Sequence, residues 1–172
     1  MNIFDVHIKN GEVIDGTGAP KFKSDIVIDK GKIIGVFPPE NGDARDPSEN
    51  HFLSNFKAKH TINAENKIIS PGFIDVHTHD DDNVFQDPSM SSKISQGVTT
   101  CVAGNCGISL APFSYKGEVP APIALLGKSE VFRFPRVSDY KEEFDNKPSS
   151  VNLALLTGHS MLRVEAMNGE FA

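Results

Sequence analysis

The sequence predicts an α/β protein in two parts. Residues 1–66 are expected to form a small β-sandwich-like sheet domain, and residues 67–172 the start of a parallel α/β barrel. Two observations support this fold class. Short alternating strands separated by turn residues fill the first part, whereas strands alternate with helices in the second. In addition, the apolar run ending at Val76 is followed by two histidines, which is typical of a barrel strand with functional side chains at its C-terminal end.

The first part reads as an antiparallel sheet. Alternating apolar and polar residues over 3–37 predict two hairpins, one turning at Asn10-Gly11 and the other at Lys30-Gly31. Residues 38–59 are rich in Pro, Asn, Asp and Ser and lack periodicity, which indicates an irregular surface excursion. A short strand over 60–64 is expected to return to the sheet.

From residue 67 onward the pattern changes to alternating strands and helices. Strands are predicted over 67–76, 98–103 and 151–156, and helices over 88–96 and 139–147. This alternation predicts parallel βαβ units. A closed eight-stranded barrel needs about 200 residues or more. Three strands are therefore only the front part of a barrel, and its remainder is expected from a longer chain.

Composition narrows the range of partners. The net charge is −6 and no Lys/Arg run is present, which argues against a nucleic-acid partner. The N-terminus lacks the basic and apolar regions of a secretory signal, and no segment approaches the roughly 18 apolar residues that cross a bilayer. We therefore expect a cytoplasmic protein that binds neither nucleic acid nor membrane.

His77 and His79 are candidate metal ligands. Side chains two residues apart on a strand point to the same face, and neutral imidazole is the commonest side-chain metal ligand. Such a pair also arises by chance on exposed strands, so the buried strand before it is what favours a metal site. The two cysteines, Cys101 and Cys106, are expected to be a metal ligand or a buried thiol, because a cytoplasmic setting disfavours a disulfide.

Longer motifs carry a family resemblance. Residues 71–81, Pro-Gly-Phe-Ile-Asp-Val-His-Thr-His-Asp-Asp, and residues 97–112, which include Gly-Asn-Cys-Gly, resemble the metal-dependent amidohydrolase superfamily. Within it, the chain is most similar to the D-aminoacylases, or N-acyl-D-amino-acid deacylases. Residues 158–163 resemble a third segment of that group, and residues 11–18 resemble its N-terminal β domain. The resemblance implies that the second part is the first three or so βα units of a TIM-like (β/α)8 metal-dependent hydrolase barrel.

The resemblance implies a zinc site with one or two ions. His77 and His79 match the metal-binding pair at the end of the first barrel strand, and Cys106 matches a cysteine that ligates zinc after the second. A thiolate is chemically suitable there, because soft sulfur binds Zn²⁺ well and its charge offsets that of the metal. Cys101, in contrast, is expected to be a core thiol.

Other polar residues near these ligands have open interpretations. Asp75 either orients a ligand histidine through a hydrogen bond or is a carboxylate held by nearby backbone or lysine. Asp80 and Asp81 either do similar work or start the following loop. Three residues that follow the third strand are candidates for substrate binding: His159, Ser160 and Arg163. The arginine either clamps a substrate carboxylate through a bidentate contact or lies on the surface.

The activity implied by the resemblance is hydrolysis of N-acyl-D-amino acids to a carboxylate and a free D-amino acid. Family members take two further histidine ligands and a catalytic aspartate from later strands, so no catalytic residue is expected here and the isolated fragment should be inactive. One alternative is a non-catalytic remnant that needs a partner chain to complete the barrel. Another is a cyclic-amide hydrolase of the dihydropyrimidinase or hydantoinase type. Gly-Asn-Cys-Gly argues against the cyclic-amide hydrolase, because those relatives resemble one another in using a carboxylated lysine instead of such a cysteine.

Overall fold

The computed structural model describes residues 2–37 and 56–167. The chain divides into two compact units, Met1–Pro71 and Gly72–Ala172. The predicted domain boundary between residues 66 and 67 stays a prediction, since compactness alone does not define a domain. Within the described residues, no helix has the length and apolar character that crossing a membrane requires.

The first unit is built around one long strand, β1 (Asn2–Val13), with four further strands beside it. They are β2 (Phe22–Asp29), β3 (Lys32–Phe37), β4 (Phe56–Asn63) and β5 (Ile68–Ile69). The strand order is β3-β2-β1-β4, and β5 also pairs with β1. The predicted antiparallel pairing is confirmed for β1 with β2 and for β2 with β3, but it is wrong for β4 and β5, which run parallel to β1. Such parallel neighbours need long crossover connections, which turn signals do not reveal. The sandwich-like packing stays a prediction.

The predicted hairpin turn at Asn10-Gly11 is also wrong, because β1 continues through it. The register of β1 against β2 shifts at this dipeptide, which marks a β-bulge. Asn10 has a φ of 65°, and its N–H donates to Asp25 Oδ1 at 3.0 Å. Asn and Gly suit a bulge as well as a turn, so the dipeptide did not distinguish the two. At Lys30-Gly31 the predicted hairpin is confirmed, since β2 and β3 pair directly across it.

The predicted excursion over 38–59 is only partly described. Residues 38–55 lie outside the described residues. The last part of the range belongs to β4, which begins at Phe56 instead of at residue 60. The regular strand therefore starts earlier than the composition indicated.

The second unit contains a three-stranded parallel sheet of order β10-β7-β6. Its strands are β6 (Phe73–Thr78), β7 (Val98–Ala103) and β10 (Asn152–Leu155). Its α-helices are α1 (Asn83–Gln86), α2 (Ser91–Ile94), α3 (Val137–Asn146) and α4 (His159–Ala166). A two-stranded antiparallel sheet, β8 (Phe113–Ser114) and β9 (Arg133–Phe134), lies between β7 and α3 in the chain, with 3-10 turns at Ile123–Leu126 and Ser129–Val131. The predicted parallel pairing of the three sheet strands is confirmed.

The single strand predicted over 67–76 is two strands in different sheets. β5 pairs with β1, and β6 begins only at Phe73 and pairs with β7. Pro71 lies between them and has no N–H to donate to a sheet. Gly72 follows, and a Cβ at this position would overlap the Thr99 side chain. The proline therefore ends one strand, and the glycine allows the next to lie close to β7.

Helix lengths were the weakest part of the sequence prediction. The helix predicted over 88–96 is only the single turn α2, and neither α1 nor α4 was predicted. One-turn helices such as α1 and α2 are too short to show a helical period. The prediction over 139–147 is close to the observed α3.

The core of the second unit is one continuous apolar cluster. Its fully or nearly fully buried members include Val84, Met90, Cys101, Leu110, Phe113, Ile123, Phe132, Phe134, Tyr140, Met161 and Val164. They come from β7, from β8 and β9, and from the helices and loops around these strands. The complete burial of Cys101 confirms the predicted core thiol.

Candidate metal centre

The end of β6 presents two imidazoles on one face. Relative to β7, the register of β6 shifts between Asp75 and Thr78, so that β6 contains one extra residue, a β-bulge. Thr78 is buried, with 6% exposure. His77 and His79, on either side of it, are exposed, and their ring centroids lie 5.6 Å apart. The two imidazoles therefore share the face opposite the Thr78 side chain.

The loop after β7 brings Cys106 toward these histidines. Gly104 begins the loop with a φ of 84°, and a Cβ there would overlap the Leu156 carbonyl oxygen. Only glycine fits such a position. The side-chain amide of Asn105 donates to the Val76 carbonyl oxygen at 2.8 Å, which ties the loop to β6. The thiol is thus held beside the end of the neighbouring strand.

His77, His79 and Cys106 together form a candidate donor set for a metal ion. Their ligand atoms all lie within 4.8 Å of one another, and Cys106 Sγ is 3.9 Å from His79 Nδ1. Donor atoms around a tetrahedral zinc ion are roughly 3.3–3.6 Å apart, so small side-chain movements would bring the three to ligand distance. Two imidazoles and a thiolate suit zinc, and three protein donors leave a fourth position open. The residues therefore fit the group that the resemblance implies.

The opposite side of β6 carries a charged network centred on Lys93 of α2. Lys93 Nζ lies 2.7 Å from Asp75 Oδ2 and 3.0 Å from Asp80 Oδ2. It also donates to Thr78 Oγ1 at 3.2 Å. The hydrogen bond from Lys93 lowers the pKa of Asp75. Partial burial alone would lower the pKa of Lys93, but its hydrogen bonds to Asp75 and Asp80 outweigh burial and raise it.

Asp75 is therefore held by a lysine and by backbone, the second of its two interpretations. Its Oδ1 accepts the N–H of His77 at 3.3 Å, and its Oδ2 accepts from Lys93. The bulge explains the difference from simple alternation, because it turns Asp75 to the side of Thr78 and away from the imidazoles. Asp75 contacts His77 through the His77 backbone N–H, and the orientation of a ligand histidine by Asp75 stays a prediction.

Asp81 anchors the loop after β6 to the core. Its side chain is completely buried, and Oδ1 accepts the N–H of Leu110 at 3.3 Å. Among the residues that the structure describes, Oδ2 has no hydrogen-bond partner. Burial raises the pKa of Asp81 to about 6. The Tyr140 hydroxyl donates to the Asp81 carbonyl oxygen at 2.6 Å. Asp81 thus lies at the start of the loop after β6, the second of its interpretations, and its side chain is buried in the packed interior.

The three predicted substrate-binding residues lie on α4. His159 and Ser160 begin the helix, and the Ser160 N–H donates to the Gly107 carbonyl oxygen at 2.9 Å. This bond brings the helix start beside the Cys106 loop. Arg163 lies one turn further along α4 and is exposed. The structure thus brings His159 and Ser160 next to the loop that carries the thiol.

Sequence reasoning missed three residues that hold the site together: Lys93, Asn105 and Ser109. The Ser109 hydroxyl donates to the Ala111 carbonyl oxygen at 2.6 Å and accepts the Gly158 N–H at 2.9 Å. Through the latter bond it links the Cys106 loop to the start of α4. These contacts join residues far apart in the chain, so no local sequence pattern predicts them. Asn105 alone had a signal, since it lies within Gly-Asn-Cys-Gly.

The parallel α/β unit and its His, His and Cys donors are features of a metal-dependent hydrolase. Comparison with protein families agrees, because the model described as the Amidohydrolase family matches residues 60–172. The chain belongs to the amidohydrolase family. This confirms the superfamily that the motifs predicted.

Individual relatives are more specific. The chain is 39% identical over 165 residues to a D-aminoacylase of Alcaligenes xylosoxydans xylosoxydans, covering 95% of this chain and 31% of the relative. It is 37% identical over 163 residues to an N-acyl-D-glutamate deacylase of the same organism, covering 95% of this chain and 30% of the relative. The predicted resemblance to D-aminoacylases is confirmed. The chain spans only 30–31% of the length of these relatives.

Solved structures give the same result. A crystal structure of D-aminoacylase matches with a TM-score of 0.80 and 44% identity, covering 95% of this chain and 31% of that one. The N-acyl-D-glutamate deacylase of Bordetella bronchiseptica, complexed with zinc and a phosphonate inhibitor, matches with a TM-score of 0.79 and 40% identity, covering the same shares. An L-hydantoinase of Arthrobacter aurescens matches with a TM-score of 0.51 and 20% identity, covering 96% of this chain and 31% of that one, which shows a shared fold alone.

Proposed function

We propose that this chain is the metal-binding front part of a zinc-dependent amidohydrolase that cleaves N-acyl-D-amino acids. One observation carries the proposal. His77, His79 and Cys106 bring their ligand atoms within 4.8 Å of one another, in a chain that is 39% identical to a D-aminoacylase. The products would be a carboxylate and a free D-amino acid.

The fold supports a barrel that continues beyond three strands. We assign β6, β7 and β10, within residues 67–172, to the first strands of a TIM-like (β/α)8 barrel, and residues 1–66 to an N-terminal β domain. Three apolar side chains of β6 support this assignment, since Phe73, Ile74 and Val76 are exposed by 62%, 61% and 60%. In parallel α/β proteins both faces of the sheet are covered, so further chain would bury this surface.

The chain's own residues would bind and orient the ion. His77 and His79 would donate imidazole nitrogens from one face of β6, and Cys106 would donate a thiolate whose negative charge offsets part of the metal charge. Bound zinc polarises the scissile carbonyl and lowers the pKa of its water to about 7. One or two ions are compatible with the proposal, because residues from later strands are expected to complete the ligand set and to supply the catalytic carboxylate.

Substrate recognition is proposed for the start of α4. His159 and Ser160 lie beside the Cys106 loop, since the Ser160 N–H donates to the Gly107 carbonyl oxygen at 2.9 Å. Arg163 is one turn further, and a guanidinium suits bidentate binding of the amino-acid carboxylate. The preference for D-amino acids rests on the named relatives.

Two alternatives predict different outcomes. A cyclic-amide hydrolase is supported only by the fold-level match to L-hydantoinase, at 20% identity. The thiol of Cys106 favours the D-aminoacylase type, in which 39% identity extends over 95% of this chain. A non-catalytic remnant would bind metal without turning over any amide.

The test uses the whole protein, this chain with any further residues that its gene encodes. Zinc content and hydrolysis of N-acetyl-D-methionine, N-acetyl-L-methionine and hydantoin are measured before and after chelation. We expect hydrolysis of the D-isomer that is lost on chelation and restored by zinc. Cys106→Ala should lose zinc, whereas His60→Ala, at an exposed histidine of β4, should not. Turnover of hydantoin alone would support the cyclic-amide alternative, and tight zinc binding without any turnover would support the remnant.

A further inference from the structure

Lys93 holds the side of β6 that faces away from the imidazoles. Its ammonium group lies 2.7 Å from Asp75 Oδ2, 3.0 Å from Asp80 Oδ2 and 3.2 Å from Thr78 Oγ1. An ammonium has three N–H donors, and here Lys93 donates to Asp75 and Thr78 and forms an ion pair with Asp80. The lysine side chain is only 20% exposed, so solvent screens these contacts less than those of an ordinary surface ion pair.

In the sequence, the three partners of Lys93 lie before, between and after the two histidines. Asp75 precedes His77, Thr78 separates the histidines, and Asp80 follows His79. The bulge lies within the same stretch, where the register shifts between Asp75 and Thr78. A bulge disrupts the regular ladder and lets a strand bend. The Lys93 contacts lie on both sides of the bulge. They therefore fix the C-terminal end of β6, where the hydrogen bonds to β7 are irregular.

We propose that Lys93 is a positioning residue of the metal centre. By binding Asp75, Thr78 and Asp80 together, it fixes the bulged end of β6 so that both imidazoles face the Cys106 thiol before any ion binds. The proposal rests on the metal centre proposed above and adds a residue that touches none of the three donors. Replacing residues that orient metal ligands typically weakens metal affinity by about 10–100-fold.

Lys93 also keeps two carboxylates out of the ligand set. Asp75 and Asp80 flank the histidines in sequence, and carboxylate oxygen is the preferred donor for hard ions such as Mg²⁺ and Mn²⁺. While both carboxylates bind the ammonium, the donors that this part of the protein offers to an ion are two imidazole nitrogens and one thiolate sulfur. Lys93 thereby favours zinc over harder ions.

The test measures metal affinity in place of turnover. In the whole protein, metal-stripped Lys93→Met is titrated with Zn²⁺ and with Mn²⁺ in competition with a chromophoric chelator. We expect zinc to bind about 10–100-fold more weakly than to wild type, and the preference for zinc over manganese to fall. Lys93→Arg, which keeps the charge and several donors, should recover part of the affinity. Lys141→Met is the matched control, because it removes an exposed ion pair with Asp145 on α3 and should leave zinc affinity unchanged.

Thermal unfolding of the metal-free variants separates positioning from general stability. If Lys93→Met lowers Tm but the folded protein binds zinc as tightly as wild type, Lys93 only stabilises the fold and the inference is overturned. Should that variant not fold, Asp80→Asn removes one of the two charged partners and should also weaken zinc binding; unchanged affinity would overturn the inference. Wild-type protein that binds no stoichiometric zinc would overturn the metal centre itself, a result distinct from the failure of Lys93 alone.

Discussion

Two histidines, one in each unit, show how the same side chain can serve the fold or remain available to a ligand. His7 Nε2 in β1 lies 2.8 Å from Asp25 Oδ2, and the Asp25 side chain is only 2% exposed. His79, just past β6, is exposed and lies beside a second imidazole and a thiol, with Cys106 Sγ at 3.9 Å. The His7 imidazole already contacts a buried carboxylate inside the protein. The His79 imidazole is grouped with other good metal donors, and this grouping is what identifies a candidate ligand.

The largest effect should come from exchanging these two histidines for alanine in turn. His79→Ala should weaken zinc binding by at least about 100-fold, the upper end of what residues outside the ligand set cause, because a donor is lost. His7→Ala should leave zinc affinity unchanged. Zinc affinity of the metal-stripped whole protein, measured by chelator competition, checks both. Equal zinc affinity in the two variants would contradict the comparison.

Glycines at the same backbone angle extend the comparison between the units. Gly104 and Gly18 both have a φ of 84°, but a Cβ on Gly104 would overlap the Leu156 carbonyl oxygen, whereas nothing lies within 4 Å of one on Gly18. Gly18→Ala should cost about 1–2 kcal/mol of unfolding free energy, for the left-handed conformation alone. Gly104→Ala should cost about 2 kcal/mol more, because the backbone must shift to relieve the overlap.

Urea unfolding measures both glycine variants, and zinc affinity adds a second readout. Because Gly104 opens the loop that holds Cys106, its alanine variant should also bind zinc more weakly, whereas Gly18→Ala should bind it as wild type does. If the two substitutions cost the same, the close approach of the loop to Leu156 has no energetic consequence.

The His7–Asp25 pair predicts a loss of stability without a loss of metal. Among the residues that the structure describes, His7→Ala leaves the buried Asp25 carboxylate with the Asn10 N–H, at 3.0 Å, as its remaining partner. Breaking one member of a buried pair is strongly destabilising, and we expect about 3 kcal/mol in the free energy of unfolding. Urea denaturation of the metal-free protein measures it. A neutral result would show that water replaces the imidazole without cost.

Local sequence signals predicted the donors better than their supports. His77 and His79 share a face because the period of a strand is two, and the family resemblance of Gly-Asn-Cys-Gly indicated Cys106. All three were predicted as ligands, but the sequence did not predict their convergence on one ion, and metal binding by them stays a prediction. The bulge at Asp75 could not be predicted, because it depends on the register against β7. Lys93 was equally hidden, since a lysine in a predicted helix is ordinarily solvated.

The same limit explains the errors in the first unit. Asn10-Gly11 is a strong turn signal, but the choice between turn and bulge is made by β2, which pairs with the residues on both sides of it. Parallel pairing of β4 with β1 is likewise decided by strands distant in sequence. Signals within a few residues predict where a strand carries chemistry. Signals that depend on the neighbouring strand become visible only in the fold.

The smallest effect sharpens the comparison through a second pair of residues, the lysines Lys59 and Lys93. Lys59 in β4 lies 2.6 Å from Asp5, but its side chain is 60% exposed and that of Asp5 is 32% exposed. Lys93 has a similar distance to Asp75 with only 20% of its side chain exposed, and it has two further partners.

Exposed ion pairs contribute little to stability, because water screens them and two long side chains lose conformational freedom. Lys59→Met should therefore leave the urea midpoint within experimental error, whereas Lys93→Met should lower it clearly. If both variants shift the midpoint equally, burial and the number of partners do not distinguish the two lysines, and the special position of Lys93 behind the imidazoles loses its energetic support.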